Sequence, residues 1–189
     1  KLPAFQFQTY LDNPEDIVTG PWAHDNYAGD ADSDGDLDIF APYTDVEWVM
    51  LINDGSGGFS VNQNFPMDHR PNHWATTAAI GDFDNDGYGD VAVGWFNPDE
   101  TSSGAVYWND GNNDWRNRDR TDLPANFYGT NGNANDMEVM DFNNDGFIDI
   151  LLASTTHEPY YKGRVIQFFQ NNGNGTFSEW NSYETSGGD

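Results

Sequence analysis

The sequence predicts an all-β protein made of three repeated four-stranded units, and three observations support this prediction. A nine-residue acidic loop occurs three times, and each copy is followed by two strand-like runs of residues. The second run of each unit ends in a turn of the type Asn–x–Gly, which is typical of β-hairpins. Aromatic residues make up 15% of the 189 residues and there are 20 glycines, a composition that favours short strands and many turns over helices.

The acidic loops comprise residues 30–38, 82–90 and 141–149. Each has side-chain oxygens at positions 1, 3, 5 and 9 and a glycine at position 6, which permits a sharp turn. Together with the backbone carbonyl of position 7, these oxygens form the kind of ligand set that Ca²⁺ takes, at about 2.3–2.6 Å from the ion. Without a cation the carboxylates of one loop would repel one another strongly. The sequence therefore predicts three structural Ca²⁺ sites.

The predicted ligands follow from these loop positions. They are Asp30, Asp32, Asp34, Asp36 and Asp38 in the first loop, Asp82, Asp84, Asp86, Tyr88 and Asp90 in the second, and Asp141, Asn143, Asp145, Phe147 and Asp149 in the third. Tyr88 and Phe147 would contribute backbone carbonyls, and Asn143 removes one charge and predicts a weaker third site. An EF-hand would need a glutamate at position 12 and flanking helices. Position 12 is an apolar residue inside a strand-like run in all three loops, which excludes that motif.

Four strand-like runs make up each unit. Those before the loops are residues 22–28, 74–80 and 134–140, those directly after are 37–43, 90–96 and 148–154, and the next are 47–52, 105–108 and 164–170. The fourth run opens with an aromatic residue, which is Phe59, Trp115 or Phe177. The first ligands, at positions 30, 82 and 141, are 52 and 59 residues apart. A period in this range indicates a four-stranded propeller blade.

The predicted blades are residues 21–63, 73–120 and 133–183. Residues 1–11 are predicted to form the outer strand of a preceding blade. This last prediction rests on register, since Phe7 and Pro14 recur 52 residues later as Phe59 and Pro66.

The units resemble FG-GAP/VCBS repeats, in which a strand, an Asp-x-Asp-x-Asp-Gly-x-x-Asp loop, a hydrophobic strand and an Asn-x-Gly-x-Gly-x-Phe turn follow one another. Residues 171–177 match that turn best and residues 109–115 match it least. The resemblance covers about the whole chain. It implies blades of a calcium-stabilised β-propeller, as in integrin α-subunit heads and certain fungal lectins. Because closed propellers have about 4–8 blades, three units predict part of a larger propeller or a protomer that is completed by copies of itself.

Charge and calcium chemistry restrict the partners and the location. The net charge is −25, from 32 acidic and 7 basic residues, so no basic face is available for nucleic acid or for an anionic membrane. The chain has no apolar run that could insert into a membrane, and it has no cysteine. Calcium sites of extracellular modules work at about 10⁻⁴–10⁻³ M Ca²⁺, a concentration absent from the cytosol. The sequence therefore predicts a secreted or cell-surface protein.

Three classes of function are open at this point. The first, which we favour, is a recognition or adhesion module that binds glycan or an extracellular protein, since no catalytic residues can be assigned. The second is the propeller scaffold of a polysaccharide-degrading, lyase-like enzyme, for which His157 and Glu158 are the candidate acid/base pair. The third is a structural surface protein that assembles with itself.

Aromatic and basic residues give further candidates. Trp22 and Trp74 recur in register and are predicted to lie in the core. The aromatic residues that do not recur are predicted candidates for a binding surface, and they are Trp95, Tyr107, Trp108 and Trp115. The arginines at positions 116, 118 and 120 are expected to pair with neighbouring acids.

Overall fold

The computed structural model describes residues 26–42, 48–62, 74–96, 102–111 and 120–185. Within these ranges the chain forms three four-stranded antiparallel sheets and no α-helix. In each sheet the strands lie in chain order, so that every strand pairs with the one that precedes or follows it. This confirms the predicted all-β fold with propeller-type blades.

The three sheets are named blades 1 to 3. Blade 1 consists of β1 (Tyr27–Gly29), β2 (Asp38–Ala41), β3 (Val49–Asn53) and β4 (Phe59–Asn62). Blade 2 consists of β5 (Trp74–Gly81), β6 (Asp90–Phe96), β7 (Gly104–Tyr107) and β8 (Arg120–Asp122). Blade 3 consists of β9 (Gly132–Met140), β10 (Asp149–Thr156), β11 (Val165–Asn171) and β12 (Phe177–Glu184), and a 3-10 turn (Gly129–Asn131) precedes it. Strands lie on either side of each acidic loop, as predicted, although β1 overlaps only the end of the predicted run 22–28, of which residues 22–25 lie outside the described residues. Residues 1–11 also lie outside the described residues.

Two apolar cores lie between neighbouring blades. The first is formed by Phe40, Trp48 and Met50 of blade 1 with Val91, Val93, Trp95 and Tyr107 of blade 2. The second is formed by Phe83, Ala92 and Val106 of blade 2 with Met137, Ile150, Leu152 and Phe169 of blade 3. Blade 2 is thus covered on both faces, and every residue of β6 except its last is buried. In β11 buried and more exposed residues alternate, because only one of its faces packs on a neighbouring blade.

The structure corrects the prediction that Trp95 and Tyr107 form a binding surface. Both are 3% exposed in the first core, where their ring centroids lie 5.9 and 5.5 Å from that of Trp48. Large rings fill the space between two blades, and a position inside a repeat can be filled by different apolar residues in different blades. Trp108 is half-buried against the second core, and Trp115 lies outside the described residues.

The tryptophans that were predicted to be core residues are described only in part. Trp74 is half-buried and stacks on Phe96, with ring centroids 5.4 Å apart. Trp22 lies outside the described residues. Trp74 therefore packs inside its own blade, at the end of the first strand pair.

Candidate metal sites

The three acidic loops share one backbone conformation. At position 4, Ser33, Asn85 and Asn144 have φ angles of 62°, 61° and 60°. The glycines at position 6 have φ angles of 96°, 97° and 93°. Residues with a side chain rarely adopt such positive φ angles, so a glycine is required at position 6. Asparagine suits position 4 because it tolerates the left-handed region better than most residues. The loops are therefore one repeated structure rather than three unrelated acidic turns.

Carboxylates at positions 1 and 5 fix the shape of each loop. The position 1 carboxylate accepts the N–H of the position 6 glycine at 3.1, 3.0 and 2.9 Å in the three loops. The position 5 carboxylate accepts the N–H of position 7 at 2.9, 2.9 and 3.0 Å. These bonds turn the backbone around the carboxylates, so that the acidic side chains converge instead of pointing away from one another.

The first two loops each bring three carboxylates together. Oxygens of Asp30, Asp32 and Asp38 lie within 4.8 Å of one another in the first loop. Oxygens of Asp82, Asp84 and Asp86 do so in the second loop. In the part of the chain that the structure describes, no lysine or arginine pairs with these carboxylates. No described basic side chain therefore compensates the charge of either cluster.

The third loop is arranged differently. Asn143 takes the place of a carboxylate, and its amide donates a hydrogen bond of 2.8 Å to Asp145. The backbone N–H of Phe147, followed by this amide, lowers the pKa of Asp145. This loop therefore has one carboxylate fewer, and an amide donor stabilises the charge of Asp145. It is the loop that depends least on a cation.

The aspartate at position 9 is the most buried acid of each loop. Asp38, Asp90 and Asp149 are fully buried. One oxygen of each accepts the N–H of loop position 2, at 2.7, 3.0 and 3.1 Å. The other oxygen accepts the N–H of the asparagine at or just after the end of the third strand, which is Asn53, Asn109 or Asn171, at 2.8 Å in all three blades. Each of these carboxylates therefore joins its loop to the hairpin of the same blade.

Burial makes the charged forms of these acids unfavourable. It raises the pKa of Asp90 to about 8 and also raises the pKa values of Asp38 and Asp149. Burial, followed by the neighbouring carboxylates, raises the pKa values of Asp32 and Asp84 as well. A cation in the loop would favour the ionised carboxylates and oppose these shifts.

Two of these asparagines, Asn109 and Asn171, also connect neighbouring blades, a role that the sequence did not reveal. The side-chain amide of Asn109 donates to the carbonyl of Ala31 in the first loop at 2.8 Å. That of Asn171 donates to the carbonyl of Phe83 in the second loop at 2.7 Å. Both asparagines are almost fully buried. The sequence signal was the recurrence of this asparagine in every unit, which we interpreted only as a turn preference.

Two further contacts hold the loops side by side. The Ser33 hydroxyl donates to the carbonyl of Gly87, and the Asn85 amide donates to that of Gly146 at 3.0 Å. Gly89 lies so close to the first loop that an added Cβ would be 2.3 Å from the carbonyl oxygen of Asp30. Position 4 of one loop thus reaches position 6 of the next, and the candidate metal sites form one connected edge.

The available oxygens fit Ca²⁺. The donor set contains carboxylate, amide and backbone carbonyl oxygens, which suit a hard cation. Oδ1 of Asp30 is buried, and no hydrogen-bond donor reaches it among the described residues. A buried carboxylate oxygen without a donor is costly unless a cation contacts it. The first loop therefore has the strongest local requirement for an ion.

The remaining candidates are the acid/base pair and the arginines. The His157 ring packs edge-on against Phe96 and Tyr160, with centroids 5.2 and 4.7 Å away. The N–H groups of His157 and Glu158 both bind Asn131, and the Glu158 side chain is exposed. No arginine is shown beside this pair in the described residues. Arg120 pairs with Asp122 at 3.1 Å as expected, and positions 116 and 118 lie outside the described residues.

Comparison with known proteins identifies the repeat. The family model described as FG-GAP-like repeat matches residues 30–93, 82–152 and 141–189. Each match begins at position 1 of an acidic loop and includes the strands that follow it. A search of curated proteins gave no match. Within the described residues, no helix is long and apolar enough to cross a membrane.

Proposed function

Because the chain belongs to the FG-GAP-like repeat family, we propose that it is a calcium-stabilised extracellular module that recognises glycan or protein. Two observations on the first loop carry the calcium assignment: Asp30, Asp32 and Asp38 bring carboxylate oxygens within 4.8 Å of one another, and Oδ1 of Asp30 is buried without a donor among the described residues. Bound Ca²⁺ would supply positive charge and oxygen coordination at this point. The protein supplies the loop shape through the backbone hydrogen bonds described above.

The ligand set of the proposal is the one that the loop positions indicate. Bound Ca²⁺ would take carboxylate or amide oxygens from positions 1, 3 and 5 and the carbonyl oxygen of position 7. In support, positions 1, 3 and 9 converge in the first loop and positions 1, 3 and 5 in the second. Position 9 contributes a carboxylate that two N–H groups already orient, as in Asp90. Outer hydrogen bonds of this kind fix the direction of a ligand and increase affinity for the metal.

The extracellular location is supported by the calcium concentrations at which such modules work. Repeats of this family typically occur in extracellular proteins, and modules there bind Ca²⁺ at about 10⁻⁴–10⁻³ M. At a Ca²⁺ concentration a hundredfold above Kd, one site contributes about 2.7 kcal/mol of stability. Three such sites would make the fold depend on the medium outside the cell.

The turn after β10 is the best candidate for a recognition surface. Tyr160 and Tyr161 are 60% and 62% exposed, and the Tyr160 ring contacts His157. Exposed aromatic rings that lie side by side offer flat apolar faces to a sugar ring or to a protein side chain. Their exposure is more easily explained by a ligand than by the stability of the fold.

Two pairs of measurements test the proposal. Calcium titration by calorimetry, together with the melting temperature with and without Ca²⁺, tests the metal assignment; absence of both heat and stabilisation would refute it. A glycan array and a pull-down from extracellular protein, both in Ca²⁺, test recognition. The proposal predicts a signal that is lost in a Tyr160→Ala, Tyr161→Ala double variant of unchanged melting temperature. Blank results in both binding assays would remove the recognition role and leave the calcium sites.

A further inference from the structure

The two interfaces between blades follow one pattern. We call the leading face of a blade the side that is turned to the next blade, and the trailing face the opposite side. At the leading face, the residue at loop position 2 lies beside a cross-strand pair from the second and third strands. These residues are Ala31 with Phe40 and Met50 in blade 1, and Phe83 with Ala92 and Val106 in blade 2. All six are at most 1% exposed, because the next blade covers them.

The leading face of blade 3 has apolar residues at the same positions and in the same register, but no blade among the described residues covers it. Phe142 occupies loop position 2, and Leu151 pairs with Phe168 as Ala92 pairs with Val106. These three residues are only half-buried. Trp180 lies over Phe142 and Phe168, with centroids 5.1 and 6.3 Å away, and it is 58% exposed. Other exposed apolar residues surround this group, and they are Met140, Ile166 and Tyr183.

At the other end of the three-blade array, the trailing face of blade 1 is the matching half of such an interface. In blades 2 and 3 this face contains the pairs Val91 with Tyr107 and Ile150 with Phe169, and these residues are at most 3% exposed. The equivalent pair in blade 1 is Ile39 with Leu51, which is only half-buried. Leu37, beside this pair, is 60% exposed. An apolar blade face is therefore open at each end of the described array.

The hydrogen bonds between blades are also incomplete at both ends, and in a complementary way. Asn53 is equivalent to Asn109 and Asn171, and its amide donates to Leu37 of its own loop but to no preceding loop in the described chain. The matching acceptor, the carbonyl of Phe142, receives no donor among the described residues. The contact from loop position 4 to position 6 of the next loop, which Ser33 and Asn85 make, is incomplete in the same way. The Asn144 amide at position 4 of the last loop has no described acceptor, and the Gly35 carbonyl at position 6 of the first loop has no described donor.

We propose that the leading face of blade 3 binds the trailing face of blade 1 of a second copy of this chain. The occupant is a copy because each end carries the half that the other end lacks, in apolar residues and in hydrogen-bonding groups. The interface would continue the two interfaces that already exist within the chain. Joining different faces of two copies is a head-to-tail contact, which closes when the rotation returns to the start. Two copies contain six blades, within the range of about 4–8 found in closed propellers.

Two exposed residues allow the proposal to be tested without disturbing the cores. Trp180→Glu places a charge on the leading face of blade 3, and Leu37→Glu places one on the trailing face of blade 1. Phe127→Glu is the matched control, since this 44% exposed ring lies before β9 and belongs to neither face. Molar mass is measured by size-exclusion chromatography with light scattering in Ca²⁺, and melting temperatures verify that each variant is folded.

The expected results distinguish a head-to-tail pair from other assemblies. The wild type and Phe127→Glu should have twice the chain mass of 21.2 kDa, and each of the other two variants should have the single mass. Mixing Trp180→Glu with Leu37→Glu should restore a pair, because one intact leading face then meets one intact trailing face. A symmetric face-to-face dimer would instead survive one of the single variants.

Other outcomes overturn the proposal. A wild type that stays monomeric at about 100 μM in Ca²⁺ refutes pairing with a second copy and assigns the open faces to blades of another polypeptide segment. A ladder of larger masses refutes closure at two copies. Molar mass reports pairing, and the effect of Ca²⁺ on the melting temperature reports calcium binding. Failure of pairing therefore leaves the calcium proposal intact, and the two failures can be told apart.

Discussion

Acidification should stabilise the metal-free protein and destabilise the calcium-loaded protein. In the fold, burial raises the pKa of Asp90 from its ordinary value of 3.8 to about 8. Between these two values the folded carboxyl keeps a proton that the unfolded chain has lost. The folded state therefore binds more protons, and the free energy of unfolding falls as the pH rises through this interval.

The size of the effect follows from the two pKa values. The two pKa values differ by about 4, and each pH unit is worth about 1.4 kcal/mol for one proton. Between them, the titration of Asp90 alone lowers the free energy of unfolding by up to about 6 kcal/mol as the pH rises. Asp38 and Asp149 act in the same direction, since burial raises the pKa of both. Bound Ca²⁺ reverses the sign, because protons then compete with the ion for the same oxygens.

Urea unfolding, followed by tryptophan fluorescence, measures both slopes. Unfolding free energies are collected from about pH 5 to about pH 8, once in buffer passed over a chelating resin and once in about 5 mM CaCl₂. Asp90→Asn is the control, because general repulsion within this acidic chain produces a slope of the same sign and the variant retains it. The reasoning is refuted if, without metal, the free energy of unfolding changes equally with pH in wild type and Asp90→Asn. It is also refuted if the free energy of unfolding of the metal-free wild type rises with pH.

Three further predictions concern single positions, each measured by chemical or thermal unfolding. Asn109→Ala removes hydrogen bonds within and between blades and should cost about 2–4 kcal/mol, clearly more than Asn53→Ala, which lacks the bond to a neighbouring blade; equal costs would contradict the role of that bond. Gly89→Ala should cost about 1–3 kcal/mol, because the new Cβ meets the facing loop carbonyl; an unchanged stability would show that the loops are not in contact. Asp82→Ala should reduce the calcium-induced rise in melting temperature more than Asn143→Ala, since it removes a charged ligand, and equal reductions would contradict the ligand assignment.

Local sequence patterns predicted the strands that flank the loops. The run at residues 90–96 coincides with β6, and the runs before the second and third loops differ from β5 and β9 by one or two residues. These strands are defined by nearby signals, namely an acidic loop on one side and a turn on the other. Because the loop and turn residues recur in fixed order, the number of strands in each blade could also be derived.

Features that depend on distant partners could not be predicted in the same way. Tyr107 differs from its equivalents Leu51 and Phe169, and this irregularity suggested a surface, whereas Tyr107 and Phe169 face the preceding blade and Leu51 lies on the corresponding open face of blade 1. The double hydrogen-bonding role of Asp90 involves a residue 19 positions away. The asparagine amides reach carbonyls 78 and 88 residues away, so only the assembled blades show what they contact.

The direction of the asparagine contacts has a consequence for synthesis on the ribosome. Asn109 completes the loop that begins at Asp30, so this first loop stays unfinished until about two blades have been translated. Domains form from the amino terminus while the polypeptide emerges. Each newly made blade therefore stabilises the acidic turn of the blade before it, and the last turn in such a series depends on whatever docks beside it.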